Sequence, residues 1–283
     1  MHRHPYFNLL LHDDAELERL AGAALLQRQT LHEWPLSCVQ KLSLADGRCL
    51  VYKAAFGPTV EAEFYARARS PLLLPAQTVY LQDGYACLLI EWVEAPRLED
   101  LALLESELLL LVDAALDGIA LIQGDLPCYL DLRSESAWRT AMGETLLELH
   151  GLHLDGKLHQ VTAQTIQAIQ SWAQTPEVLE ALAEAPGLVH TDLGTDNIFV
   201  TPTGLRVIDW QRPIYGPRAL DRARLLESAR IELAGRVSPG VMRLQRLLSI
   251  HWLVQCASRW FPEGLETYDR QVARLAEWIA ERN

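Results

Sequence analysis

His190-Thr191-Asp192-Leu193-Gly194-Thr195-Asp196-Asn197 is followed by apolar Ile198-Phe199-Val200 and, after a Thr201-Pro202-Thr203-Gly204 turn, by Leu205-Arg206-Val207-Ile208-Asp209-Trp210. Polar residues crowd into one short loop, and two strand-like runs come after it, joined by a Pro/Gly turn. A hairpin of this kind brings Asn197 and Asp209 side by side although they are distant in sequence. Taken singly, an Asp or Asn in a loop is a turn former and a lone His is structural. The combination, held at fixed spacings against apolar strands, points to chemistry.

His-x-Asp-x-x-x-x-Asn, with a further Asp closing an apolar strand, is the spacing of a phosphoryl-transfer loop of the kinase type. That reaction needs in-line positioning and neutralisation of charge more than covalent help. One carboxylate must orient an acceptor hydroxyl and take its proton, the role expected of Asp192. Mg²⁺ takes oxygen ligands and keeps some of its waters, so an amide, a carboxylate and the phosphates suffice. Asn197 and Asp209 are the expected metal ligands. His190, which opens the motif, is counted with Asp192, Asn197 and Asp209 as a catalytic candidate.

The same residues resemble the catalytic and metal motifs of the aminoglycoside phosphotransferase and choline kinase-like family. Ala219-Leu220-Asp221-Arg222-Ala223 resembles its structural Asp-Leu-Ala segment, and Leu146-Leu147-Glu148-Leu149-His150 the helix ahead of its catalytic loop. The resemblance spans residues ~50 to 230, with 187–225 its most specific block. It implies a protein-kinase-like fold, ATP or GTP as donor, Mg²⁺, and a small-molecule hydroxyl as acceptor.

Working upstream, such a fold pairs a strand Lys with the α- and β-phosphates and holds that Lys with a helix Glu. Cys49-Leu50-Val51-Tyr52-Lys53 offers Lys53. Glu61 and Glu63 are both placed to be its partner, and Glu61 is preferred because Glu61-Ala62-Glu63-Phe64-Tyr65 resembles a Glu-x-x-Phe-Tyr run of some family members. Ile90-Glu91-Trp92-Val93-Glu94-Ala95-Pro96 is the expected hinge, where the resemblance implies that peptide groups of Glu91 and Val93 meet the adenine edge. One departure stands out. Glu33-Trp34-Pro35-Leu36-Ser37 lies where a Gly-rich phosphate loop should be, and the Ser37 hydroxyl is the candidate substitute.

The remaining pattern is α+β. Residues 14–28 read as a helix. Ser37 to Phe56, broken at Asp46-Gly47, reads as one hairpin, with positive φ expected at both turn positions, and 78–81 with 85–92 as another around Asp83-Gly84. A short helix over 59–69 separates them. Beyond Pro96 the chain reads as helices at 98–122, 135–153, 162–184, 219–234, 240–260 and 266–281, with short strand-like runs at 187–190 and 205–208. The expected architecture is two-lobed: a small antiparallel-sheet lobe over 1–95 that binds nucleotide, a hinge near 91–97, and a larger, mostly helical catalytic and substrate lobe over 98–283.

Composition narrows the function classes. The 283 residues carry a net charge of −12, which argues against a nucleic-acid partner. Five cysteines, an odd number, are widely spaced without a CxxC, arguing against disulfides or a zinc knuckle and for a reducing compartment. The most apolar stretch, Leu101 to Leu121, contains Glu105, Glu107, Asp113 and Asp117, and the N-terminus lacks a signal pattern, so no membrane partner and a cytoplasmic location are expected. A protein kinase is a weaker reading, because Thr191 replaces the Arg of His-Arg-Asp and no activation segment fits after Asp209. A pseudokinase acting as a binding module has only the missing Gly-rich loop in its favour. The acceptor is expected among Trp252, Trp260, Glu263, Glu266, Tyr268 and Asp269, a set suited to an amine or a sugar.

Overall fold

The structure, a computed structural model, describes residues 1–281. The chain divides into two compact units, Met1–Tyr129 with Asp192–Pro213 and Leu130–Thr191 with Ile214–Asn283.

The first unit is built on a five-stranded antiparallel sheet. A two-strand ribbon, β1 (His2–Arg3) and β2 (Leu10–Leu11), and helix α1 (Asp14–Ala21) precede it. The sheet strands are β3 (Leu25–Trp34), β4 (Ser37–Leu44), β5 (Cys49–Phe56), β6 (Ala76–Gln82) and β7 (Tyr85–Glu91), in the order β3-β4-β5-β7-β6. Helix α2 (Glu61–Arg67) lies in the β5–β6 connection, and α3 (Glu105–Ala120) follows β7.

Both expected hairpins form, by different turns. Asp83 (φ 52°) and Gly84 (φ 80°) are both left-handed, the two-residue turn that matches strand twist. At the other hairpin only Gly47 is left-handed, at φ 86°, and its N–H donates to Leu44 O, so Asp46 does not share the geometry expected of it. The helix expected over 14–28 stops at Ala21. Gly22, at φ 72°, caps it through a bond from its N–H to Glu18 O, and the chain turns into strand β3.

Side chains alternate across the sheet. Cys38, Leu42, Tyr52, Ala54, Cys87 and Leu89 pack with Leu9, Leu11 and Leu17, so the N-terminal segment seals one face. The Tyr52 hydroxyl there accepts the His12 N–H at 3.0 Å. Lys53, between Tyr52 and Ala54, is therefore directed to the opposite face.

The later segment of this unit is the hairpin β10 (Ile198–Thr201) and β11 (Gly204–Val207), with Ile198 opposite Val207. It is tied to the earlier segment by backbone bonds, from Val200 N–H to Pro96 O (3.0 Å) and from Val207 N–H to Leu72 O (2.9 Å). These bonds are why the compact unit runs past the hinge position at 91–97 and takes in 192–213.

The second unit holds helices α4 (Glu135–Leu154), α5 (Ala163–Trp172), α6 (Pro176–Leu182), α7 (Ala219–Ser228), α8 (Pro239–Gln255) and α9 (Leu265–Glu281). The single helix expected over 162–184 is two, because Pro176 starts a new one. Helix α8 passes into a π-helical turn, Cys256–Trp260. Close packing of α6 and α8 requires Gly240, where a Cβ would lie 2.2 Å from Glu177 O. A three-stranded sheet completes the unit: β8 (Leu130–Asp131), β9 (Pro186–Val189) and β12 (Ile214–Pro217), in the order β8-β12-β9. The strand-like run near 187–190 thus pairs with β12, an element the pattern did not show, and 205–208 pairs with β10. All five cysteines are free, and among the described residues no helix is long and apolar enough to cross a membrane.

Candidate active site

Lys53 is the centre of the site in the first unit. It is 5% exposed, and its Nζ lies 2.6 Å from Glu61 Oε2 and 2.5 Å from Asp209 Oδ1. Glu61, 2% exposed on the first turn of α2, is the partner. Glu63 is only half-buried, and among the described residues no ion pair with Lys53 involves it. Burial by itself would lower the Lys53 pKa, but the Asp209 and Glu61 carboxylates more than offset it and hold the ammonium above its ordinary value. Two carboxylates around one ammonium leave one excess negative charge in a poorly solvated place, so the site favours a further cation. The fully buried Tyr65 hydroxyl, one turn beyond Glu61, senses the same field: burial first, then Glu61 and Asp209, push its pKa far up.

The turn at Asp209 is held in an unusual conformation. Asp209 has φ 70°, a region that costs most side chains energy but that Asp tolerates. Its neighbour Trp210 is fully buried, stacks on Phe64 of α2 (4.6 Å between centroids, 11° between planes), and donates from Nε1 to Val207 O at 3.1 Å. Gln211 returns the chain: its N–H donates to Asp209 O (2.8 Å) and its O accepts from Val60 N–H (2.9 Å) at the start of α2. The Gln211 side-chain amide also donates to Asp209 Oδ1, at 2.6 Å. Sequence reading passed over Gln211, because a Gln after a buried Trp carries no signal of its own.

Asn197 ends a 3₁₀ turn, Thr195–Asn197, and its Nδ2 donates to Asp192 O at 2.9 Å. The Asn197 amide thereby stiffens the loop that carries Asp192. Ile208 N–H donates to Asn197 O at 3.1 Å, extending the β10–β11 ladder so that Asn197 and Asp209 flank it, as the hairpin reading required. The oxygen donors present, an amide and a carboxylate beside excess negative charge, fit a hard divalent cation such as Mg²⁺.

At the expected hinge, Glu91 N–H donates to Pro75 O at 2.9 Å. Pro75 has no N–H with which to return the bond, so the sheet ladder does not claim the Glu91 carbonyl there. Val93, two residues on, is half-buried, and the Trp92 ring between receives the Lys41 ammonium 3.9 Å from its centroid. Ser37 is not displayed as a phosphate ligand would be. It is 2% exposed, and its Oγ accepts the Trp34 indole N–H at 2.6 Å. Only Pro35 and Leu36 separate β3 from β4, so the expected loop is a tight turn.

In the second unit, His190 is 1% exposed at the end of β9. The backbone N–H groups of His190 and Thr191 donate to Asp221 Oδ2 and Oδ1, at 2.7 and 3.0 Å. Thr191 sits at φ 72°, a strained position for a β-branched residue, and this carboxylate is part of what holds it. Sequence reading placed Asp221 in a structural segment without seeing this task. Its signal was an Asp beside Leu220 on the buried face of α7. Of the acceptor candidates, Asp269 is spent on structure. It is 2% exposed and accepts the N–H groups of His159, Gln160 and Val161 at 2.7, 2.8 and 2.9 Å.

The model of a phosphotransferase enzyme family matches residues 60–253 of the chain. Among solved structures, a thermostable mutant of aminoglycoside phosphotransferase APH(4)-Ia, in ternary complex with ADP and hygromycin B, has a TM-score of 0.63 at 15% identity, covering 95% of this chain and 98% of that one. A choline/ethanolamine kinase family protein from Mesorhizobium loti has a TM-score of 0.63 at 13% identity, covering 95% of this chain and 92% of the other. Spectinomycin phosphotransferase APH(9)-Ia, in complex with ADP and spectinomycin, has a TM-score of 0.57 at 11% identity, covering 97% and 100%. No curated protein matches the chain. Likeness at these identities shows the fold, the protein-kinase-like fold with its antiparallel-sheet lobe and helical lobe.

Proposed function

Given that the chain belongs to the phosphotransferase enzyme family, we propose that it transfers the γ-phosphate of ATP or GTP to a hydroxyl of a small molecule. The observation that carries this reading is the buried Lys53–Glu61–Asp209 cluster, built from three separate stretches of sequence. A solvated strand-end lysine would have no need of two carboxylates at this depth.

In this reading Lys53 binds the α- and β-phosphates, and Glu61 keeps its ammonium aimed. Asp192 accepts the proton of the acceptor hydroxyl, and Asn197 fixes the loop that carries it. Asn197 and Asp209 would hold Mg²⁺, which when bound supplies charge neutralisation at the phosphates. His190 anchors the loop from behind through its backbone. The Glu91 carbonyl and the Val93 N–H meet the base edge at the hinge. The functional division differs from the compact units, with 1–95 as the nucleotide lobe, a hinge near 91–97, and 98–283 as the catalytic and substrate lobe.

The acceptor is a hydroxylated amine or sugar, in keeping with the hygromycin B and spectinomycin complexes of the structural relatives and with Trp252, Trp260, Glu263, Glu266 and Tyr268 in the helical unit. Free cysteines suit a cytoplasmic setting. The presence of Asp192, Asn197 and Asp209 together speaks against a pseudokinase, which has no use for the full set.

The test is ATP and GTP consumption with Mg²⁺ across a panel of aminoglycosides and hydroxylated amine metabolites. Acceptor-dependent transfer is the expected result. Nucleotide binding with no transfer to any acceptor, and no Mg²⁺-dependent hydrolysis, would favour the binding-module reading.

A further inference from the structure

Gln211 makes three contacts at the Asp209 turn that no catalytic motif calls for. Its amide donates to Asp209 Oδ1 at 2.6 Å, on the same oxygen that Lys53 Nζ meets at 2.5 Å. Its N–H donates to Asp209 O, and its O accepts from Val60 N–H, the residue just before Glu61. One residue therefore links the carboxylate of Asp209, the strained backbone beneath it and the first turn of the helix that carries Glu61.

We propose that Gln211 is a positioning residue for the metal-binding aspartate, keeping the Asp209 carboxylate aimed when nucleotide phosphates draw Lys53 away. This rests on the function proposed above. The physical argument is a competition. In the present arrangement Lys53 and Gln211 share Asp209 Oδ1. Triphosphate oxygens bid for the Lys53 ammonium, and any turn of Lys53 toward them weakens its hold on Asp209. Lys is a flexible point charge that re-aims readily. The Gln211 amide is fixed at both ends of its own backbone and has no charge to lose to the phosphates. It remains as the neutral donor on Oδ1 and holds the carboxylate plane, the service that hydrogen-bonding partners of metal ligands commonly perform. A neutral amide is suited to this place. A second ammonium would cancel the negative charge that a cation needs, and a carboxylate would repel Asp209.

The experiment compares wild type with Gln211→Met, which keeps length and removes the amide, and Gln211→Glu, which keeps shape and reverses the polarity. The reading is the nucleotide-induced melting shift as MgCl₂ is titrated at fixed ATP, with an EDTA arm for ATP alone. The expected result is an ATP shift in EDTA equal to that of wild type, with the Mg²⁺ concentration at half-maximal extra shift raised about 10- to 100-fold in Gln211→Met. Gln211→Glu should show a smaller rise, because the carboxylate it adds attracts the cation while the donor on Asp209 is lost. Equal Mg²⁺ midpoints in wild type and both variants would overturn the inference. So would a Gln211→Met variant whose ligand-free melting temperature and EDTA arm fall in step with its Mg²⁺ response, since that is a structural role only. Should Gln211→Met fail to fold, Gln211→Glu carries the same comparison. A wild type with no Mg²⁺-dependent shift at all would instead remove the function on which the inference stands.

Discussion

The Lys53 ammonium lies 2.5 Å from the Asp209 carboxylate although 156 residues separate them in the chain. The contact closes a buried charge cluster whose other member, Glu61, is 2.6 Å from the same ammonium. Its arrangement makes Lys53 a structural residue and, in the proposed function, a phosphate ligand as well, and the two roles have separable readouts.

Lys53→Met leaves the Glu61 and Asp209 carboxylates facing each other with no cation between them. Breaking a buried ion pair from one side costs about 3–5 kcal/mol, so urea denaturation of the ligand-free variant should show a loss of that order. The Mg·ATP melting shift, about 2–4 kcal/mol at saturating ligand, should vanish in the same variant. Glu61→Ala should lose part of the shift. Glu63→Ala should change ligand-free stability by less than about 0.5 kcal/mol. A Lys53→Met protein as stable as wild type would show that the cluster carries no stability.

Asp192→Asn removes the proposed proton acceptor while keeping size and hydrogen-bonding shape. With a true acceptor in hand, turnover should fall about 10²- to 10⁴-fold, with the nucleotide melting shift intact. Near wild-type turnover would take Asp192 out of the reaction.

Asp221→Ala strips the partners from the His190 and Thr191 N–H groups, which stay buried beside it. Each buried donor that loses this acceptor costs about 1–3 kcal/mol, so chemical denaturation should register a loss of about 2–6 kcal/mol. Asp221→Asn, which keeps one acceptor oxygen, should lose less. Turnover should follow the same order, because Thr191 at φ 72° relaxes once its N–H is unheld. Equal stability of Asp221→Ala and wild type would contradict the assignment.

His251 provides a pH signature. It is buried on α8, with Nδ1 2.7 Å from Thr145 Oγ1 and Nε2 3.1 Å from Gln255 Nε2. Burial above all lowers its pKa from 6.5 to about 4. The folded state therefore resists protonation while the unfolded chain takes a proton below pH 6.5, and stability falls as pH drops from about 6.5 to 4. The loss attributable to this residue is about 3 kcal/mol over that window. Melting temperature measured against pH should fall less steeply there in His251→Gln than in wild type. Parallel profiles would show that His251 does not control the acid limb.

Signals that act between chain neighbours were legible before any coordinates. Asp83-Gly84 needs left-handed backbone and makes its hairpin wherever the strands run on either side. Asp192, Asn197 and Asp209 stand at spacings set by one loop and one hairpin, so their grouping follows from local geometry. The breaks at Gly22 and Pro176 were equally local, and the longer helices expected there ignored a left-handed cap and a proline at the first helical position.

Relations between distant segments came only with the tertiary structure. Nothing in Pro186–Val189 names Ile214–Pro217 as its partner, since apolar strands of four residues pair with many others equally well. Resemblance alone favours Glu61 over Glu63 in the sequence, but the contact itself turns on which face of α2 meets the sheet, and a helix of seven residues carries too little pattern to say. Asp221 reaches the His190–Thr191 turn, Gln211 reaches Val60, and Lys53 reaches Asp209 because packing closes long loops around them. Spacing along a chain encodes contacts that one turn or one hairpin can make. Contacts across such separations depend on how whole elements bury their apolar faces, and that is decided by the folded chain as a unit.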